Sequence, residues 1–596
     1  MQGQKSKSLK LFLWKNIFVA GASFVASFLG LSFNTSEASA LFMPTLSASV
    51  DQANLQVNGN SVINSTDKTT EIPFNFTVNT NNRTGYTATL SVETENTALT
   101  NAGSAVGAKI DSISTNLTLN NLPNNTWGYK FGGSTNYAPI PALSTPAQIL
   151  KTTEKTNGNE SNQLSIGMKL ADNLESGNYT NKLILSFVSN PYTMRAVMMN
   201  GPDFNTRVGN LDPNPAYYSG PDSPLTKPSI KAFKRSIVAP TSSVSTINIE
   251  DPDLSDYEIK AWYNTADQTV YYYAEPNTVF LNENSRGMFM WFKKMETVDL
   301  AGFDTSEVTS MNTMFYMMNS IKSIDVSGFN TSKVNDMNSM FDQTGVIEEL
   351  NLSSFDTSNV TDMKWMFFGL SKLKKLDLTN FDTSKVTNMY GMFDQVADVS
   401  EIKFGSHFNT KNVVNMERMF AVNLSIKSLD LSSFNTANVT TMKDMFNLMT
   451  SLTQINFGAN FDTSNVTDMT GMFYQSTSLV NLDLSHFNTR KVRSMNSMFS
   501  QMSGLTILDI SNFETLSLED AGSMFAIDPG FSDNLEKIYV NQDFDTSKLT
   551  TSTNAFIRRN RLRGGNGSYL ADPSTADKTW LRVDRPGVQG YFTRKS

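Results

Sequence analysis

Apolar residues recur at a fixed spacing through the second half of the chain and divide it into tandem repeats. One series of phenylalanines is spaced by 26 or 27 residues, with a last step of 31, and a second series follows in the same phase. The first series comprises Phe289, Phe315, Phe341, Phe367, Phe393, Phe420, Phe446, Phe473, Phe499, Phe525 and Phe556. The second, followed two residues later by threonine each time, comprises Phe303, Phe329, Phe355, Phe381, Phe408, Phe434, Phe461, Phe487, Phe513 and Phe544. Such internal repeats predict a solenoid in which each repeat packs on its neighbours.

Each repeat contains a strand-like pattern. In one repeat, Leu373, Leu376, Leu378 and Phe381 give L-x-x-L-x-L-x-x-F, which is the leucine-rich-repeat spacing with Phe where Asn or Cys often stands. The second and third apolar residues are two apart, so both face inward from a strand and the residue between them faces outward.

A second pattern in each repeat predicts a short helix. Val360, Met363, Met366 and Phe367 stand at i, i+3, i+6 and i+7, which is one face of a helix. Thr or Ser just before this segment is a favoured N-cap. We therefore expect an α/β leucine-rich-repeat solenoid of about ten repeats of 26 residues over 288–556.

These repeats resemble a known family. The motif F-D-T-S-N-V-T-D-M-x-x-M-F at 355–367, followed by a strand of the form S-L-x-x-L-D-L, is similar to the DUF285-like repeats of BspA-type leucine-rich-repeat surface proteins of bacteria, including their mycoplasma relatives. The resemblance covers roughly residues 255–596 and implies adhesion to host or neighbouring bacterial cells.

The amino-terminal segment has the pattern of a secretory signal peptide. Basic residues precede an apolar run from Ile17 to Phe33, and Ala38-Ser39-Ala40 gives an A-x-A cleavage site. An uncleaved membrane anchor is the alternative. This leader would direct the protein out of the cell, to the medium or to the bacterial surface.

Composition divides the remainder of the chain. Residues 41–190 are rich in Thr, Asn and Ser and contain period-two alternations, for example from Ile72 to Val78, which predict an all-β, sandwich-like domain. Residues 191–252 hold nine of the nineteen prolines and predict a linker. An open solenoid end exposes apolar surface, so 253–287 and 557–596 are expected to cap the repeats.

The chain offers little material for catalysis. It has no cysteine, only two histidines, and none of the common zinc, nucleotide or serine-hydrolase motifs, so we expect no enzyme, although a glycosidase that uses only carboxylates stays open. A formal net charge of −8 argues against a nucleic-acid partner.

Two groups of residues are candidate binding surfaces. The outward residue of each repeat strand forms an acidic ladder that would meet a basic partner or bind Ca²⁺; polar side chains that merely face solvent are the alternative. Its members are Asp299, Asp325, Asn351, Asp377, Asp430, Asp483 and Asp509. A basic patch after the last repeat, which could bind an anionic wall polymer, comprises Arg558, Arg559, Arg561 and Arg563.

Together these patterns predict an exported, non-enzymatic bacterial surface protein whose repeats bind a protein or glycan on host or bacterial cells. A protein that binds or remodels wall polysaccharide is the first alternative, and a structural surface-layer component is the second. No resident cofactor is expected, and contact with a membrane would come only through an uncleaved leader.

Overall fold

The computed structural model describes residues 9–13, 42–57, 66–217 and 225–596. The chain divides into two compact units, with the boundary between Met194 and Arg195. Apart from Leu9–Leu13, the predicted leader lies outside the described residues. In the part of the chain that the structure describes, no helix is both long and apolar enough to cross a membrane.

The first unit is built from β-strands. They are β1 Leu9–Leu13, β2 Leu46–Val50, β3 Asn54–Val57, β4 Thr69–Thr80, β5 Tyr86–Val92, β6 Leu99–Asn101, β7 Lys109–Ser112, β8 Leu117–Thr118, β9 Thr126–Phe131, β10 Asn136–Tyr137, β11 Ala147–Lys151, β12 Glu160–Lys169, β13 Tyr179–Thr180 and β14 Lys182–Ser189, with a 3₁₀ turn at Leu119–Asn121. The main sheet has the order β11-β5-β14-β1-β13-β6-β7-β9-β12-β4-β2, and β3 pairs with β1.

The alternation read from the sequence places one side of each long strand in a single apolar core. Phe76 of β4, Leu90 of β5 and Ile166 of β12 are fully buried. The ring of Phe76 lies 5.3 Å from that of Phe187 on β14, so strands that are distant in the sheet order pack against each other.

Among its described residues, the second unit contains one α-helix and many short strands. The helix α1 is Gly201–Gly209, and 3₁₀ turns occur at Pro573–Thr575 and Lys578–Trp580. The strands are β15 Ala196–Val197, β16 Ala216–Tyr217, β17 Leu225–Thr226, β18 Ala232–Arg235, β19 Ile247–Asn248, β20 Ile259–Asn264, β21 Thr269–Ala274, β22 Val279–Phe280, β23 Thr297–Val298, β24 Phe303–Asp304, β25 Lys375–Leu378, β26 Glu401–Phe404, β27 Ser428–Asp430, β28 Gln454–Asn456, β29 Ile507–Asp509, β30 Lys537–Val540 and β31 Phe592–Arg594.

The region expected to be a proline-rich linker is folded into this unit from Arg195 onward. Asn200 caps α1 by accepting from the backbone N–H of Asp203 at 3.1 Å, and a proline occupies the first turn, where its missing N–H costs nothing. Phe204 on α1 is fully buried, 5.4 Å from the rings of both Phe233 and Phe289. The linker prediction was wrong because it weighed the prolines and overlooked the apolar residues between them.

The repeats form a stack of turns, here called the repeat stack, over residues 285–563. Parallel strand pairs join some successive turns, as in β25 with β26, where Leu376 lies opposite Ile402. A second parallel ladder of single bridges joins all successive turns and passes through Asn284, Ser310, Asp336, Asp362, Asn388, Asn415, Thr441, Asp468, Ser494, Asp520 and Thr551. At the far end β31 pairs in parallel with β30.

The segments predicted to be helices are successive turns instead. Val360, Met363, Met366 and Phe367 are all fully buried, as their spacing requires. However, the N–H groups of Met363, Trp365 and Phe367 donate to carbonyls of the next turn, at 3.1, 2.9 and 3.1 Å. An α-helix would use those N–H groups internally.

Backbone conformation explains the error. Trp365 has φ of +53°, and residues at the same place in other turns, such as Ser339, Arg418 and Asp444, also have positive φ, which a right-handed helix excludes. Apolar residues three apart suit a helix face and a series of three-residue turns equally well. The described chain is nearly all β, and the prediction of an α/β leucine-rich-repeat solenoid is wrong.

A continuous column of aromatic rings runs through the repeat stack. The eleven phenylalanines of the first series, from Phe289 to Phe556, stack with ring centroids 5.3–6.1 Å apart and interplanar angles of 3–15°. This near-parallel arrangement adds to the free energy gained by burying each ring. The column explains why phenylalanine recurs at this position.

The threonine that follows the second phenylalanine series joins adjacent turns through its hydroxyl. Thr383 is fully buried, and its Oγ1 donates to the carbonyl of Asn409 at 2.9 Å and accepts from the N–H of the same residue at 2.8 Å. The same reciprocal pair occurs at Thr305, Thr331, Thr410, Thr463 and Thr489. This threonine bridges turns and does not cap a helix.

Replacing one ring of the column should destabilise the protein far more than replacing its half-buried neighbour. We expect Phe367→Ala to lower the free energy of unfolding by about 3–5 kcal/mol, because it opens a cavity between two stacked rings. Phe368→Ala, at the next residue and only half-buried, should cost well under half as much. Chemical denaturation of the full chain followed by circular dichroism measures both, and equal losses would contradict a dominant role for the column.

Removing one bridging hydroxyl should also be costly. Thr383→Val keeps the side-chain volume but leaves the N–H and C=O of Asn409 without that partner, so we expect a loss of about 1–3 kcal/mol. The control is Thr387→Val, because Thr387 is exposed and its hydroxyl makes only a 3.3 Å bond to Thr361. A loss at position 387 as large as that at 383 would show that the bridge is not what stabilises adjacent turns.

Candidate binding surfaces of the repeat stack

The residues of the predicted acidic ladder lie on one column, which we call the strand face. Asp377 is opposite Lys403 in the β25–β26 pair, and Asp430 is opposite Asn456 in the β27–β28 pair. Asp325, Asn351, Asp377, Asp430 and Asp483 are exposed, whereas Asp299 and Asp509 are half-buried.

Each ladder residue also holds the corner that follows it. Asp377 Oδ1 accepts from the backbone N–H of Thr379 at 3.0 Å, and Asn351 Oδ1 accepts from that of Ser353 at 3.1 Å. Asp299, Asp325, Asp430, Asp483 and Asp509 accept in the same way from the residue two positions later. Such turns are formed by Asp and Asn alike. The signal was present in the sequence as Asp or Asn followed two residues later by a small residue.

These hydrogen bonds also affect the charge of the ladder. Side-chain and backbone donors from the residue two positions later lower the pKa of Asp325, Asp377 and Asp483, because they stabilise the ionised carboxylate. The strand face therefore carries fixed negative charges at neutral pH.

Neighbouring side chains break this run of charge. The amide of Asn456 donates to Asp430 Oδ1 at 2.9 Å, and Lys595 lies 2.5 Å from Asp509 Oδ2. A groove of about 490 Å³ opens beside Asp483 and Asp509, between two successive turns, and it is also lined by Leu482, Ile507 and Lys595. Acidic, basic and apolar groups thus meet at this end of the strand face.

The structure does not bring the four predicted arginines together as an exposed patch. Arg559 is buried, and its guanidinium contacts the carbonyl of Phe525 at 2.5 Å and Asp533 Oδ1 at 3.2 Å. Arg561 pairs with Glu536, Arg558 lies 3.7 Å from Asp528, and Arg563 stacks 4.4 Å from the ring of Tyr569. Arg559 is unavailable to a polymer because it satisfies backbone carbonyls at the end of the stack.

An aromatic cluster, which the sequence analysis missed, lies on a second column that we call the turn face. The indole of Trp365 lies 5.3 Å from the ring of Tyr390 and 6.2 Å from that of Phe368. Lys364 Nζ lies 4.2 Å from the Trp365 ring, within cation–π range. Gly391 has φ of +56°, and a Cβ there would approach Trp365 Cδ1 to 2.6 Å, so glycine makes room for the indole.

Two buried carboxyl groups lie on the turn face at equivalent places in different turns. Asp342 is 5% exposed, and Asp394 is fully buried with its Oδ2 2.7 Å from Arg418 Nε. In the described part of the chain, Oδ1 of each has no hydrogen-bond partner. Burial raises the pKa of Asp342 to about 7 and that of Asp394 to about 6, although hydrogen bonds oppose both shifts.

The described residues contain no cluster of three or more histidine or acidic side chains placed to hold a metal ion. The Ca²⁺ suggested for the ladder therefore has no preformed site among them. His407 and His486 belong to different turns of the stack.

The stacked turns and their two outward columns define a repetitive β protein. The family model described as "Mycoplasma protein of unknown function, DUF285" matches residues 283–402, 367–458 and 455–563. These three matches together cover the repeat stack. The chain matches no curated protein and no solved structure.

Asp342 should make stability depend on pH in a defined direction. Its pKa is about 7 in the folded protein and 3.8 in the ordinary case, so the folded state holds a proton that the unfolded state releases between these values. Stability should fall by a few kcal/mol as the pH rises from about 4 to 7. Asp342→Asn should remove this dependence on pH, because an amide does not titrate. The variant should still fold, since Asn447 stands at the equivalent place in another turn.

The measurement is chemical denaturation of the full chain at several pH values. Asp325→Asn is the matched control. The pKa of Asp325 is lowered, so replacing this carboxylate should not reduce the fall in stability as the pH rises. An unchanged pH profile in Asp342→Asn would mean that this carboxyl does not retain its proton in the folded protein.

Proposed function

We propose that this is an exported, non-enzymatic bacterial surface protein whose repeat stack binds macromolecular partners in the manner of an adhesin. The observation that carries this proposal is the strand face, where polar side chains are held in register on successive turns by corner hydrogen bonds. A surface that repeats from turn to turn suits a large partner better than a small ligand.

The architecture of each turn supports this role. Phenylalanine, methionine and valine fill the core, and the bridging threonines join the turns. Apart from their corner hydrogen bonds, the outward side chains are therefore not needed for packing. Different residues occupy one column, for example Asp377, Lys403 and Asn456, without disturbing the strand register. Such positions can be shaped for a partner.

Export rests on the leader sequence and on the family resemblance. The apolar run and the cleavage pattern lie outside the described residues, and the resemblance is to bacterial surface proteins. The absence of cysteine agrees with a bacterial surface protein better than with a small secreted scaffold that depends on disulfides.

The charge of the strand face suggests the kind of partner. Carboxylates with lowered pKa stay ionised at neutral pH, and exposed charges contribute chiefly to the rate and specificity of association. A basic protein surface on a host or bacterial cell is therefore the partner we favour.

A wall or cell-surface glycan is the second candidate, and the aromatic cluster favours it. Trp365 and Tyr390 are half-buried with Lys364 beside them, and flat aromatic rings next to a cation suit an acidic sugar polymer. A glycan would bind the turn face, whereas a basic protein would bind the strand face, so variants of each face distinguish the two candidates.

The test removes the ladder charges without breaking the corners. We expect the triple variant Asp377→Asn, Asp430→Asn and Asp483→Asn to fold normally, because Asn351 and Asn456 make the same corner bonds. Loss of three exposed charge pairs of about 0.5 kcal/mol each should weaken binding to intact epithelial or bacterial cells about tenfold.

The matched control makes the same change of charge away from the strand face. Asp356→Asn, Asp382→Asn and Asp462→Asn together remove three carboxylates from the corner where Asn330, Asn409 and Asn435 already stand in other turns. The control variant should bind cells as well as the unchanged protein does. Binding of the unchanged protein should be lost when the cells are treated with protease. Equal binding by both triple variants would remove the ladder from the mechanism, and loss only on glycan-stripped cells would favour the second candidate.

A further inference from the structure

A lysine is buried at the start of the repeat stack, and it forms no ion pair in the described part of the chain. Lys227 is 1% exposed, and its Nζ lies 2.7 Å from Asn205 Oδ1 and 3.0 Å from the carbonyl oxygen of Met290. Nζ also lies 4.7 Å from the centre of the Phe292 ring. Lysine is almost never fully buried without an ion pair, so this arrangement calls for an explanation.

The carboxamide that faces this amine is held in a fixed orientation. Asn205 lies on α1, and its Nδ2 donates to the carbonyls of Gly287, Met288 and Met290 at 3.0, 3.2 and 2.8 Å. These three acceptors fix which end of the amide faces the lysine. Its carbonyl, and with it the electrophilic Cγ one bond away, is presented to Lys227 Nζ.

The surroundings favour the uncharged amine. Phe292, whose ring lies beside Nζ, is fully buried, and desolvation lowers the pKa of Lys227 to about 7, against the opposing charge of Asp212. Asp212 itself is occupied by the N–H groups of Asn214 and Ser229. A neutral amine is a nucleophile, and the burial of Lys227 shields it from solvent.

We propose that Lys227 and Asn205 form an intramolecular amide crosslink. The lone pair of Nζ attacks Cγ of Asn205, and a proton from Nζ passes to Nδ2. The Cγ–Nδ2 bond then breaks, ammonia leaves, and a new Cγ–Nζ amide bond remains. No oxidant or reductant is required, and the two reactants are already in contact, which provides the advantage of an intramolecular reaction.

The crosslink would join α1 to the segment that precedes β18, at the first turn of the repeat stack. In a chain without cysteine it would take the place of a disulfide, because it constrains the unfolded chain in the same way. This inference is independent of what the strand face or the turn face binds.

Peptide mass spectrometry of the purified full-length protein tests the proposal directly. Because Pro228 follows Lys227, resistance to trypsin is uninformative. An aspartate-directed protease separates Asn205 from Lys227 at Asp212, so the two peptides stay together only if they are crosslinked. We expect a joined pair whose mass is lower by one ammonia than the sum of the two, with fragment ions that place the bond at Asn205 and Lys227.

Variants establish which residues react. Lys227→Met and Asn205→Ala should each give separate linear peptides, whereas Lys231→Met, at an exposed lysine four residues away, should retain the joined pair. If either reactive-site variant fails to fold, the wild-type and Lys231→Met digests still decide the question. Folded wild-type protein that yields only linear peptides with intact Asn205 and Lys227, after prolonged incubation at neutral pH, would overturn the proposal.

Discussion

The repeat stack depends on backbone hydrogen bonds that run between turns as well as within them. A helix satisfies its own N–H and C=O groups, whereas in the repeats alternate N–H groups, such as those of Met363, Trp365 and Phe367, donate to the next turn. Every buried backbone group must find a partner, so each turn requires a neighbour of nearly the same conformation. The phenylalanine column and the bridging threonines reinforce this requirement, since a ring or hydroxyl in one turn is completed by the next.

This constraint explains why the same residues recur on the outside as well as in the core. At most corners that follow the ladder position, Asp or Asn holds the turn by accepting from the N–H two residues later. The acidic ladder is thus first a series of corner residues, and its charge is a further property that selection can keep or remove by exchanging Asp and Asn. On the turn face, the residue with positive φ projects over the next turn, which is how Trp365 comes to lie against Gly391.

Much of the core could be predicted from the sequence, because burial follows spacing. Val360, Met363, Met366 and Phe367 are buried as expected, and the outward ladder position follows from the strand pattern. The predicted helices could not be distinguished from turns, because both structures bury residues three apart. They differ in which carbonyl groups accept from the backbone N–H groups, and the sequence does not show this. Conversely, the prolines of residues 191–252 suggested a linker, although Phe204 and Phe233 pack against Phe289, the first ring of the column.

The binding surfaces were harder to predict because they arise from side chains far apart in sequence. Trp365 and Tyr390 are 25 residues apart and belong to different turns. The guanidinium of Arg559 donates to the carbonyl of Phe525 in the preceding turn and so is not available to a partner. Only the vertical alignment of turns brings such residues together or takes them out of reach. A sequence read one repeat at a time cannot show this alignment.

The reciprocity between neighbouring turns has a consequence for evolution. Since each turn presents to the next the same donors, acceptors and ring that it receives, a whole turn can be lost or duplicated while every junction remains of the same type. Unequal recombination between repeats would then change the number of turns in single steps. The reach of the array is therefore a heritable variable that can shift between lineages without any redesign of its core.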